Sequence, residues 1–126
     1  KVPLLANGDV HLPHQVEECL GITNADGVLI ARGALGNPWF FAIARGMLPE
    51  HVSIKDRVDG IRLHAILHAK QYGETGLVSF RKHFSWYLKG SRLEESVPHI
   101  KEIRALAVRV SSLADLENVL QKLLAA

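Results

Sequence analysis

Two short apolar runs, Val2 to Ala6 and Val28 to Ala31, carry the strand signal of this chain, and they limit what it can build. Two strands cannot make a stable sheet alone, because each leaves an unpaired edge and too little covered surface. Each run ends in a glycine-containing turn, Asn7-Gly8-Asp9 after the first and Arg32-Gly33-Ala34-Leu35-Gly36-Asn37-Pro38 after the second. Between them a helix is expected from about Pro13 to Leu20, with Val16 and Leu20 inward and Gly21 as its stop. Strand, helix and strand at this spacing fit one βαβ unit with parallel strands. The second run is apolar at successive positions, as expected of a parallel strand covered on both faces. Part of the sheet is therefore expected to lie elsewhere, and the chain to be a fragment of something longer. Its 126 residues are too few for a complete (β/α)8 barrel, which takes about 250.

Beyond residue 38 the pattern turns helical. Trp39 to about Arg45 reads as a short helix broken by Gly46 and Pro49. Ser53 is the expected N-cap, with Asp56 three residues on, of a helix reaching about Tyr72 and stopped by Gly73. Val58, Ile61, Leu63, Ala65 and His68 are expected on its buried side. The next helix, about Thr75 to Leu88, places Leu77, Phe80, Phe84 and Tyr87 or Leu88 on one stripe and Lys82, Trp86 and Lys89 on another. Pro98 begins a helix with Ile100, Ile103, Leu106 and Val110 inward and Lys101 and Arg104 outward. Ser112 or Ser111 caps a last helix that buries Leu116, Val119, Leu120 and Leu123. The expected boundary between the two parts falls near residues 46 to 53, giving a first domain over 1–48 and a helical one over 49–126.

Composition narrows the function classes. A single cysteine, Cys19, rules out an internal disulfide and any multi-cysteine metal site, which suits a reducing compartment. No apolar run approaches the roughly 18 residues needed to span a bilayer, so a cytoplasmic location is expected. The formal net charge of +2 is unevenly spread. Its basic excess lies in residues 81–109, where Arg81, Lys82, Lys89, Arg92, Lys101, Arg104 and Arg109 outnumber Glu94, Glu95 and Glu102. Such a stretch can meet a polyanion, and it can equally be a solvated helix face.

The turns that follow the carboxyl ends of parallel strands are where α/β proteins hold ligands. Gly8, Gly33 and Gly36 let the backbone approach a phosphate closely, and Arg32 offers a two-pronged charged contact. Together the loops read as a phosphate cradle. On the helix, Arg81, Lys82 and Lys89 can contact phosphates while Trp86 offers a face for an unpaired base, and His83 is either an RNA contact or a packed histidine. Phe84 and Tyr87 read as core. Cys19, in mid-helix, reads as a small buried or half-buried thiol rather than a catalytic one. His64 and His68 stand one turn apart, a spacing that can bind metal, but no third ligand is evident near them, and no metal site is expected. His11 and His14 flank the first loop and receive no role.

The segments Leu4-Leu5-Ala6-Asn7-Gly8-Asp9-Val10, Ala25 to Trp39 and Arg81-Lys82-His83-Phe84-Ser85-Trp86-Tyr87-Leu88 occur in the order seen in bacterial tRNA-dihydrouridine synthases, and the chain resembles the carboxyl-terminal part of that family over essentially its whole length. The resemblance implies the last two β/α units of a TIM barrel that binds FMN, followed by a helical bundle that binds tRNA. It implies reduction of a uridine with NADPH as reductant. Asn7, Gly8 and Asp9 match the family's first FMN-phosphate loop, and Ala31 and Arg32 its second, usually Gly-Arg. The Ala31 methyl matters if that backbone needs a positive φ, and weakened rather than abolished binding is expected. Arg81, Lys82, His83, Trp86 and Lys89 match the RNA-binding helix. The family's catalytic cysteine sits on an earlier barrel loop, expected upstream of Lys1, so no catalytic residue is assigned and the chain alone is expected to be inactive. The competing reading is a helical RNA-binding or protein-interaction module without redox chemistry, and a weaker one is another FMN or phosphate-binding barrel. Exposed barrel strands are expected to leave residues 1–45 poorly packed, paired with another chain (self-association among the routes) or folded back on the helices, while residues 53–126 stand independently.

Overall fold

The computed structural model describes residues 1–89, 93 and 96–126. It is mostly helical, with one small two-stranded sheet, and divides into two compact units, Lys1–Val52 and Ser53–Ala126. Arg92, Glu94 and Glu95 of the basic stretch lie outside the described residues.

In the first unit, strand β1 (Leu5–Ala6) pairs in parallel with β2 (Gly27–Val28), Leu5 opposite Gly27 and Ala6 opposite Val28. Helix α1 (Gln15–Thr23) connects them. Both strands are shorter than the apolar runs that announce them. Asp26 closes the near end of the sheet, its N–H donating to the Leu4 carbonyl while its carboxylate accepts the Leu4 N–H at 2.8 Å. Helix α1 runs through Gly21 rather than stopping there. It ends at Asn24, whose left-handed backbone (φ 53°) turns its N–H back to the Leu20 carbonyl. Asparagine tolerates that conformation, and a glycine inside a helix costs about 1 kcal/mol without ending it. The strand faces carry exposed apolar side chains, as an incomplete sheet leaves them: Leu4, Leu5 and Leu29 are all more than half exposed. A short 3-10 turn, Arg32–Ala34, and helix α2 (Phe40–Ala44) follow, with Phe40 fully buried.

The second unit begins with α3 (Ile54–Tyr72). The Ser53 hydroxyl oxygen accepts the Asp56 N–H at 3.0 Å to start it, and Gly73, at φ 77°, ends it. A 3-10 turn at Glu74–Gly76 leads into α4 (Leu77–Tyr87), followed by α5 (Ile100–Ala107) and α6 (Leu113–Ala125). Ser112 and Asp115 form a reciprocal capping box at the start of α6. The core is made by Val58, Ile61 and Ala65 of α3, Leu77, Phe80 and Phe84 of α4, Ile103 and Ala107 of α5, and Leu116, Leu120 and Leu123 of α6. Burying each of the large side chains is worth about 1.5–3 kcal/mol relative to exposure, before the chain entropy that opposes it. Three positions of this unit expected inward are not core, and the first, His68, is only half-buried. Leu63 is 60% exposed, and Leu106 is 38% exposed while its neighbour Ala107 takes the inward place. A bidentate ion pair ties α3 to α6, Arg62 Nε and Nη2 each donating to the Glu117 carboxylate at 2.9 Å. No helix among the described residues is long and apolar enough to cross a membrane.

Candidate functional site

Parallel pairing brings both strands' carboxyl ends to one side of the sheet, and the Leu29 N–H extends the register by donating to the Ala6 carbonyl at 2.8 Å. The two turns that leave there meet. Asn7, Gly8, Asp9, Ala31 and Arg32 line a single open cleft of about 230 Å³, with His11 and Leu29 beside them. The backbone at Gly8 (φ 136°) and Asp9 (φ 43°) turns sharply, and a side chain at Gly8 would be strained. Gly33 is needed for a different reason: a Cβ there would stand 2.3 Å from the Val10 carbonyl oxygen and 3.0 Å from His11 Cα. The second loop therefore rests directly on the backbone of the first. Ala31 has φ −109°, so its methyl is not asked to adopt a left-handed conformation.

The charges at the cleft are exposed and exchangeable. Arg32 Nη2 donates to Asp9 Oδ1 at 2.8 Å, and His11 Nε2 lies 3.5 Å from the same oxygen. With both side chains more than two-thirds exposed, such a pair is worth about 0–1 kcal/mol. An incoming phosphate can take the guanidinium from Asp9 at that small cost, and its own oxygens match the guanidinium fork. A guanidinium beside glycine-rich backbone suits the phosphate end of a cofactor; it does not suit a metal ion. Cys19 lies half-buried on α1, away from the residues that line this cleft.

In the second unit, α4 presents the expected basic and aromatic residues unevenly. Lys82 and Lys89 are exposed, Trp86 is half-buried, and the Lys89 ammonium sits 4.0 Å from the centre of the Trp86 ring. Arg81 is turned to the protein, its Nε donating to the Val110 carbonyl at 2.7 Å and its Nη2 to that of Arg109. Arg104, expected outward, is also turned in: Nε and Nη2 both donate to the Leu88 carbonyl, at 2.8 and 2.6 Å, and so close the end of α4. The reason is the same for both arginines. Carbonyls at helix ends need donors, and a long guanidinium side chain from the adjacent helix supplies them.

His83 does not share the outward face. It packs beside His64 and His68 of α3, with ring centres 5.0 and 5.7 Å away, and one ring nitrogen from each of the three lies within 4.8 Å of the others. His64 Nδ1 hydrogen-bonds with the Tyr87 hydroxyl at 3.1 Å, and His68 Nε2 with the Ser79 hydroxyl at 2.8 Å. Burial, reinforced by His68, pushes the His64 imidazole below its ordinary value, and burial with His64, Lys82 and His68 does the same to His83. The third histidine that sequence reading did not find is thus supplied by the neighbouring helix. Its signal was present in the spacing, because position 83 falls on the stripe of Phe80, Phe84 and Tyr87.

Comparison with known proteins covers the entire chain. Residues 1–126 match the family model described as dihydrouridine synthase. The chain is 31% identical over 128 residues to the probable tRNA-dihydrouridine synthase of Mycobacterium leprae (strain TN), an alignment covering 97% of this chain and 32% of that protein. It is 35% identical over 95 residues to tRNA-dihydrouridine synthase B of Pasteurella multocida (strain Pm70), covering 71% and 29%. Over 115 residues it is 34% identical to tRNA-dihydrouridine synthase B of Pseudomonas syringae pv. tomato (strain ATCC BAA-871 / DC3000), covering 86% and 32%. The chain spans about a third of the length of the curated relatives it matches.

Proposed function

Since this chain belongs to the dihydrouridine synthase family, we propose that it forms the FMN-phosphate end and the tRNA-binding helices of a tRNA-dihydrouridine synthase, with residues 1–48 as the close of a TIM barrel and residues 49–126 as the tRNA-binding domain. The observation that carries the reading is the single cleft shared by Asn7, Gly8, Asp9, Ala31 and Arg32. Parallel strand ends, two glycine turns in backbone contact and one exchangeable guanidinium make an anion site of the kind that ends a cofactor-binding barrel. The chemistry that a bound FMN supplies is hydride transfer, from NADPH to the uracil ring of a uridine in tRNA.

The residues of this chain hold and orient. Arg32 grips the phosphate, Gly8 and Gly33 keep the two backbones close to it, and the Asp9 carboxylate holds the Arg32 side chain over the cleft until an anion replaces it. Lys82 and Lys89 attract the tRNA backbone, and the Trp86 ring, already bearing a cation on its face, offers a surface for an unstacked base. Cys19, half-buried on α1 and apart from the cleft lining, is assigned no part in holding either group. The site of action is the cytoplasm. The test is flavin retention by the synthase carrying Arg32→Ala. Losing a charge-assisted contact to phosphate weakens FMN binding by at least about tenfold. Unchanged flavin affinity would remove the cleft from the cofactor site.

A further inference from the structure

We propose that His64, His68 and His83 form a binding site for a divalent transition metal, with zinc as the ion of choice, that clips α3 to α4. The proposal does not rest on the flavin or tRNA reading. Two histidines four residues apart on α3 share a helix face, and α4 adds the third, so that one nitrogen from each lies within 4.8 Å of the others. Three imidazoles and an open fourth position, filled by water, are a recurrent zinc arrangement, and the absence of a carboxylate from the set argues against calcium or magnesium. Tetrahedral coordination at 2.0–2.1 Å needs nitrogens about 3.3–3.4 Å apart, so no pair has to close by more than about 1.4 Å. Half-exposed rings turning about their χ angles can supply that movement.

The hydrogen bonds around the rings already have the form of an outer ligand shell. The Ser79 hydroxyl donates its proton to the Gly76 carbonyl at 2.7 Å, so toward His68 it can only accept, and it must receive the Nε2–H. Neutral His68 then carries its lone pair on Nδ1. At His64 the Tyr87 hydroxyl lies 3.1 Å from Nδ1, and in the tautomer that donates Nδ1–H to it the lone pair for a cation is on Nε2. Orienting partners of this kind fix the tautomer of a metal-bound histidine, and their loss typically lowers metal affinity by about 10–100-fold. The Lys82 ammonium next in sequence opposes a cation, but it is exposed and its repulsion is screened by solvent.

The experiment is calorimetric titration of the full chain with zinc chloride, repeated with cobalt chloride while the visible absorption of the cobalt complex is followed. We expect one ion per chain, the intense visible bands of a four-coordinate cobalt site, and a rise in melting temperature with zinc. His83→Gln and His68→Gln should each weaken binding at least tenfold, while His51→Gln, outside the cluster, should leave it unchanged. Melting curves taken in chelator establish that each variant is folded, and either variant of the cluster suffices if the other is not. Zinc binding equally tight in the cluster variants, or no binding by the parent chain, would overturn the proposal and identify the three rings as packed aromatic groups only. Neither result bears on flavin or tRNA binding.

Discussion

At the scale of single residues, the Arg62–Glu117 pair shows how a charged contact can be read as a pH dependence. Two hydrogen bonds from Arg62, with a third from Gln121, hold the Glu117 carboxyl down from its ordinary 4.5 to about 2. A carboxyl depressed in the folded state contributes stability that is fully present above its unfolded value and is lost as pH falls through the folded one. Because both side chains are partly exposed, the contribution is discounted to about 1 kcal/mol. Glu117→Gln should therefore lower the urea midpoint at neutral pH, and parent and variant should converge between pH 4.5 and about 2. A gap that persists undiminished through that window would mean that shape, not charge, is what Gln fails to reproduce. Gly33 makes a second test. Its absent Cβ is what allows the two loops to touch, so Gly33→Ala must separate backbone from backbone and should cost about 1–3 kcal/mol. The variant's urea midpoint checks this, and a neutral substitution would show that the loops do not depend on each other.

At the scale of elements, what could be read in advance is what is local. Ser53, Gly73 and Ser112 act within one turn of their own positions: α3 begins and ends, and α6 begins, as those residues dictate. Ser112→Ala, which removes the capping box of α6, should cost about 1 kcal/mol by thermal denaturation, and no loss would mean that Ser111 takes over the cap. What could not be read is what depends on a second element. Gly21 looks like a stop, yet the turn of the chain is made by Asn24, three residues later. Helical spacing places Leu63 and Leu106 near an apolar stripe but does not say how wide the neighbouring helices make it. Arg81 and Arg104 count as surface charge in any one-dimensional tally, and both are spent on carbonyls of other segments. His83 joins His64 and His68 only because α4 packs on α3. The cleft is the intermediate case: parallel strand ends imply that the two loops meet, and they do, while the Arg32–Asp9 pair that spans them is visible only in three dimensions.

At the scale of the whole molecule, the apolar surface is distributed in a way that suits a part of a larger assembly. Val2, Leu4, Leu5 and Leu29, at or beside the two strands, are all more than half exposed. Strand edges and apolar side chains left open in this way promote association, so sedimentation of the isolated chain should show concentration-dependent self-association that Leu4→Lys with Leu29→Lys suppresses. In the other unit, Lys82 and Trp86 of α4 and Lys89 just beyond its end make the basic and aromatic face proposed to meet tRNA. That role is tested most directly by titrating the chain with unmodified tRNA at two salt concentrations, beside a variant carrying Lys82→Ala, Trp86→Ala and Lys89→Ala. Binding should weaken with salt, and the variant should show lower affinity and a salt slope reduced by about two phosphate contacts. Equal affinity and equal slope in parent and variant would contradict that role.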